Sequence, residues 1–120
     1  MPELVLGPLL RYTGARNATV WVETGSPCEV RVVVGDSTHR SSTFRVGDHH
    51  YALVPVTGLA PGTHHEYELR LDGERVWPEP DSPFPPSVMR TMGHRHAVKL
   101  VLGSCRILAP HVAPYSLSYE

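Results

Sequence analysis

Two thiols and eight imidazoles are the side chains here best suited to nucleophilic or metal chemistry. Cys105 stands out by position. It follows the run 98-VKLVLGS-104, in which Val98, Leu100 and Leu102 share one face of an extended segment and Lys99 alone interrupts the apolar character of the other, which carries Val101. A strand apolar on both faces needs cover on both sides. A cysteine at such a strand-to-loop exit lies where α/β enzymes gather their catalytic groups. The alternative is a last edge strand with an incidental thiol. The histidines offer less. His49-His50 and His64-His65 are adjacent pairs, and adjacent residues on a strand point to opposite faces, so neither pair can give one ion two ligands without a bulge. His94 and His96 would face the same way, but no third ligand is identifiable, and solvated loop histidines are the expectation.

These groups must be positioned by strands. Period-two alternation and turn residues recur at short spacing, which predicts an all-β fold with candidate strands at 4–12, 18–24, 28–35, 39–46, 50–56, 64–72 and 87–92, before the terminal 98–102. In the third of these, Cys28, Val30, Val32 and Val34 oppose Glu29 and Arg31; in the sixth, His65, Tyr67, Leu69 and Leu71 oppose Glu66, Glu68, Arg70 and Asp72. Each reads as a half-buried strand of an antiparallel sandwich. Gly14, Gly25-Ser26-Pro27, Gly35-Asp36, Gly47-Asp48, Pro61-Gly62 and Asp72-Gly73 fall between strands, as turn chemistry requires. The expected architecture is a fibronectin type III-like or immunoglobulin-like antiparallel β-sandwich with Val20, Val22, Val30, Val32, Leu53 or Val54, Tyr67, Leu69 and Leu71 inside. Trp21 lies opposite Val20 and Val22. It calls for a cover by the arm 77-WPEPDSPFPP-86, by another domain, or for a bulge that turns it into the core. That arm has five prolines in ten residues and cannot join a ladder.

Composition sets further bounds. A chain of 120 residues buries about two thirds of its unfolded surface and needs no staple. The formal net charge is −1, with 11 basic and 12 acidic residues spread along the chain. That leaves no footprint for nucleic acid or an anionic membrane. No apolar run reaches the eighteen or so residues of a membrane span. The start, MPELVLGPLLRY, carries Glu3 where a secretion signal has Lys or Arg, so the expected setting is cytoplasmic if Met1 is the natural start. Cys28 and Cys105 are expected to be free, and the chain monomeric.

Longer patterns carry resemblances to known families. In 58-GLAPGTHHEYELRLDG-73, Leu59, Pro61, Gly62 and Thr63 match the Leu-x-Pro-Gly-Thr corner of fibronectin type III-like domains, where a tyrosine on the next strand bonds back to the turn. Here His65 holds the usual tyrosine position and Tyr67 follows on the same face, so either could make the tie. Gly47-Asp48-His49-His50 resembles the Gly-Asp element of metallophosphoesterases, but the companion Asp-x-His and Gly-Asn-His elements are missing, and Asp48 reads as a turn residue. Taken together, 5-VLGPLLRYTGARNATVWVET-24, 51-YALVPVTGLAPGTHHEYEL-69, 90-RTM-92 and 100-LVLGSCR-106 resemble the N-terminal portion of PhoD-type alkaline phosphatases. The resemblance implies a β-sandwich over 1–93, with 94–120 a linker and the first strand of a truncated metallophosphatase domain. It implies that the sandwich is not catalytic, that its partner is its own C-terminal catalytic domain, and that Cys105 is a thiolate ligand to iron in the intact enzyme, with calcium also bound there. The fragment alone would hold no cofactor. A free-standing fibronectin-like module that binds protein or glycan through the Trp21 or Trp77 surface is the alternative.

Overall fold

The computed structural model describes residues 2–94 and 99–105. Nine strands form there: β1 (Leu4–Thr13), β2 (Ala18–Thr24), β3 (Glu29–Val34), β4 (Ser37–Ser42), β5 (Phe44–Val46), β6 (His49–Val56), β7 (His64–Leu71), β8 (Glu74–Trp77) and β9 (Val88–Arg90). A first sheet runs β1-β2-β6-β5 and a second runs β4-β3-β7-β8, with β9 also pairing β7. All pairings are antiparallel. The described residues include no helix, and so none long and apolar enough to cross a membrane.

The alternation seen in the sequence becomes the core. Val20, Val22 and Val54 from the first sheet meet Val30, Val32, Leu69 and Leu71 from the second, and all are fully buried. Burying each such side chain stabilises the fold by about 1.5–3 kcal/mol. Ala18, Val34, Ala52, Val56, Leu59 and Met89 complete the interior. Between Leu53 and Val54, register decides: Val54 opposes buried Val20, whereas Leu53 opposes Trp21 and is 47% exposed. Tyr67 is only half-buried, at the margin of the core.

Several elements differ from expectation. The expected strand over 39–46 is two strands in different sheets, with the chain crossing at Thr43. There Thr43 takes a Cys28 N–H on its hydroxyl and gives its own N–H to the Cys28 carbonyl. Trp77 belongs not to the arm but to β8, which closes a hairpin on β7 through Asp72-Gly73; irregular chain follows from Pro78 to Ser87. The expected strand at 98–102 does not form over its described part: residues 99–102 carry no regular structure, and Leu100, Val101 and Leu102 are 75–84% exposed. Val98, His96 and the residues from 106 onward lie outside the described residues.

Two glycines explain local geometry. Gly7 has φ +98°, and a Cβ there would stand 2.8 Å from the Trp21 carbonyl oxygen, so only glycine allows β1 to bulge against β2 at this point. The bulge brings Leu6 opposite Glu23 and Leu9 opposite Trp21, placing both leucines on one face despite their odd spacing. Gly62 has φ +60° and stacks against Gly93, a Cβ on it meeting the Gly93 Cα at 3.3 Å.

That contact belongs to a knot of hydrogen bonds that closes the sandwich. The His65 Nε2–H donates to the Ala60 carbonyl at 3.0 Å, so histidine makes the corner tie. The Thr91 hydroxyl donates to the same carbonyl and accepts the Thr63 N–H, while Thr91 N–H donates to the Thr63 carbonyl. Gly62 N–H reaches the Met92 carbonyl, and Met92 N–H reaches the Gly14 carbonyl at 2.9 Å. The chain is therefore fixed to both sheets up to Met92.

Candidate functional site

The outward face of the first sheet is built by β2 and β6. In β2 the even positions from Ala18 to Thr24 face the core, which turns Thr19, Trp21 and Glu23 outward. Unbroken pairing with β6 sets Trp21 beside Leu53 and Glu23 beside Tyr51, and β5 adds Phe44 beside Tyr51. Tyr51 is the hub of an aromatic cluster. Its ring stacks on Trp21 with centroids 5.6 Å apart and on His49 at 5.9 Å, and meets Phe44 at 6.1 Å with the planes tilted 50°. Such pairs contribute about 0.5–1.5 kcal/mol beyond their buried area. Neither the proline-rich arm nor a bulge accounts for Trp21; its neighbours are Tyr51 and Leu53.

Glu23 stands opposite Tyr51 in the ladder. Its side chain is 7% exposed although its strand position faces outward, and its carboxylate is bonded to the His49 Nδ1. A buried carboxylate without a partner would be costly, and the imidazole supplies one. This pair joins the sequence neighbours of Asp48 to a strand twenty-six residues away, and nothing in the Gly-Asp-His-His pattern signalled that pairing.

The thiols occupy different surroundings. Cys28, expected on the inward face of β3, stands just before that strand, half-buried against the core. Burial pushes its thiol pKa up, a hydrogen bond with Thr24 opposes the rise, and the Asp72 carboxylate adds to it. It is a packing residue, not a nucleophile. Cys105 is free and exposed. Among the described residues no three His, Cys, Asp or Glu side chains gather closely enough to share a metal ion. His49 is taken up by Glu23, His65 by the corner and His39 by the Ser37 hydroxyl.

A groove of about 730 Å³ runs between the arm and the second sheet, with Val33, Tyr67, Arg75 and Phe84 in its walls. The arm is closed at its base by the Trp77 Nε1–H donating to the Ser87 hydroxyl at 2.8 Å. Glu68, also in the wall, is held by Arg70 and Arg75. Burial raises the Tyr67 pKa.

A family model described as "Domain of unknown function (DUF7800)" matches residues 1–89. The chain belongs to that family. The match takes in β1 through β8 and ends inside β9, so the DUF7800 span carries the whole aromatic face, while Met92, the apolar run and Cys105 lie after it. No curated protein and no solved structure matches the chain.

Proposed function

We propose that this chain is the non-catalytic N-terminal β-sandwich of a PhoD-like metallophosphatase, with residues from 94 onward running into the catalytic domain. One observation carries the reading. The sandwich completes its ladders and hydrogen bonds by Met92, and the apolar run that follows it, Leu100 to Leu102, stays exposed with no strand partner among the described residues. An apolar strand that its own domain does not use is what the first strand of another sheet would look like. The order of motifs, from Gly7-Pro8 through Ala18-Thr19-Val20-Trp21 and the Leu59-Ala60-Pro61-Gly62-Thr63 corner to Gly103-Ser104-Cys105, supports the same reading. In the intact protein Cys105 would supply a thiolate to iron, with calcium held by groups of the catalytic domain; the metal would activate water against a phosphate ester.

The test is the natural protein extended past Glu120. Expected are bound iron, hydrolysis of p-nitrophenyl phosphate or its bis ester, and loss of both metal and turnover on Cys105→Ser. Full metal and activity in Cys105→Ser, or a reading frame that stops at Glu120, overturns the reading. A free-standing binding module is the second reading, and the Trp21–Tyr51 stack favours it, because half-buried aromatic rings on an outward sheet face can seat a sugar or an apolar side chain. Binding of a soluble oligosaccharide by the 120-residue chain would select it.

A further inference from the structure

We infer that the outward face of the first sheet is the docking surface for a folded protein layer delivered in cis, the domain that the chain enters after Met92. The inference rests on the reading of the chain as the N-terminal domain of a larger enzyme, and names the surface by which it engages its partner.

The apolar surface of the sandwich is concentrated on one side. Nine large hydrophobic residues between positions 2 and 92 are about half exposed or more, and six of them, Leu6, Leu9, Tyr12, Phe44, Val46 and Leu53, lie on this face. They flank the Trp21–Tyr51 stack and together with it reach across all four strands. A contiguous apolar patch on that scale marks an interaction surface.

The chemistry of the face favours protein over sugar. A glycan platform needs several polar groups aimed outward beside its rings, whereas the Glu23 carboxylate here is buried and turned to His49, and four of the six flanking residues, Leu6, Leu9, Val46 and Leu53, are aliphatic. Aromatic rings and aliphatic side chains together, with the one carboxylate among them buried, match the apolar, charge-depleted core of a protein interface.

The path of the chain selects the occupant. Met92 N–H is bonded to the Gly14 carbonyl, two residues past Tyr12, at the β1 edge of this face. The Tyr12 hydroxyl lies against Gly14, so the point where the chain leaves the sandwich adjoins the apolar patch. Six residues, 93–98, can span at most about 20 Å. Four strands occupy only about 15 Å across the sheet. The segment that carries the apolar run Leu100 to Leu102 thus begins, at Lys99, within reach of every strand of the face. A domain held on so short a tether meets the face at an effective concentration in the millimolar range, so an interface of domain-domain size suffices to hold it.

Thiol labelling tests the inference, read site by site by mass spectrometry. Leu53→Cys probes the face, and Thr38→Cys on β4, outward on the second sheet, is the control. Leu53→Cys is expected to label rapidly in the 120-residue chain and slower by about tenfold or more in the natural longer protein, since a group inside an interface is reached only through opening. Thr38→Cys should label equally in both. Val46→Cys, on β5 of the same face, serves as a second probe if Leu53→Cys perturbs folding. Equal labelling of the face in the two proteins overturns the inference. So does protection of the 120-residue chain by itself at high concentration, which would assign the face to a second copy, or by an oligosaccharide such as cellohexaose. The phosphatase reading fails on different quantities, metal content and turnover of the same longer protein, so a protected face in a protein without hydrolysis keeps the docking surface and discards the phosphatase.

Discussion

On the outward face of the second sheet Arg31 pairs with Glu29, and Arg70 and Arg75 both reach Glu68; on the outward face of the first sheet the comparable positions hold Trp21, Tyr51 and Leu53. Both faces cover the same core and arise from alternating strands, so the core imposes neither composition. Charged side chains at outward positions keep a face solvated. Rings and leucines there stay stable only at the expense of exposed apolar area, which a partner would remove. The carboxylates sharpen the contrast. Glu68, part-exposed, is shared between two half-exposed guanidinium groups, whereas Glu23 is buried and held by His49.

The comparison can be broken first at the layer that the two faces share. Leu69→Ala removes a fully buried side chain between the sheets and should cost about 2–5 kcal/mol in urea denaturation. A loss well below that range would mean that the sheets do not depend on a common core. Next come the two glutamates. Glu23→Ala should cost about 1–3 kcal/mol, because it removes a buried hydrogen-bonded carboxylate. Glu68→Ala on the opposite face should stay within about 1 kcal/mol, as surface ion pairs do. Equal effects at the two positions would erase the distinction between the faces.

A smaller effect is expected in alkaline solution. Burial raises the folded-state pKa of Tyr67 above its value in the unfolded chain, so the folded form binds the phenolic proton more tightly. The resulting stability is present in full below about pH 10, the ordinary tyrosine value, and is lost as pH climbs through the raised one. Tyr67→Phe should flatten that decline in stability measured against pH. Cys28 shifts in the same direction and should add to the fall as pH rises through the thiol range. The smallest change is chemical, with no effect on the fold. At neutral pH iodoacetamide should modify exposed Cys105 well before half-buried Cys28, whose raised pKa leaves little thiolate; equal rates would contradict the placement of Cys28 against the core.

The legible parts of the fold were those where one residue parity is apolar and the other is not. β7 alternates cleanly and β3 does so up to Val33, and their inward residues Val30, Val32, Leu69 and Leu71 are buried as expected. β6 is apolar at both parities, so His50 to Val56 alone could not choose between Leu53 and Val54; pairing with β2 makes the choice. Neither glycine nor proline marks the crossing at Thr43, and its ties to Cys28 span fifteen residues. β8 was hidden by its four-residue length and by Pro78 directly after it. Of the aromatic face, Trp21 was visible as an apolar residue on the wrong parity. Its stacking on Tyr51, which in turn meets Phe44 and His49, was not, since it depends on the register of three strands.

The ties at Gly25 and Gly14 also decide how the sandwich carries load. Gly25 N–H holds the Glu3 carbonyl at one end of β1, and Met92 N–H holds the Gly14 carbonyl at the other, so entry and exit lie at opposite ends of the same edge strand. Tension applied between residue 3 and Met92 runs along β1, across hydrogen bonds that stand perpendicular to the strands. The bonds to β2 are then strained together in shear and are not unzipped one at a time from an end. Under such a pull the sandwich behaves as a stiff strut, and whatever is joined beyond Met92 is held by a joint that resists tension.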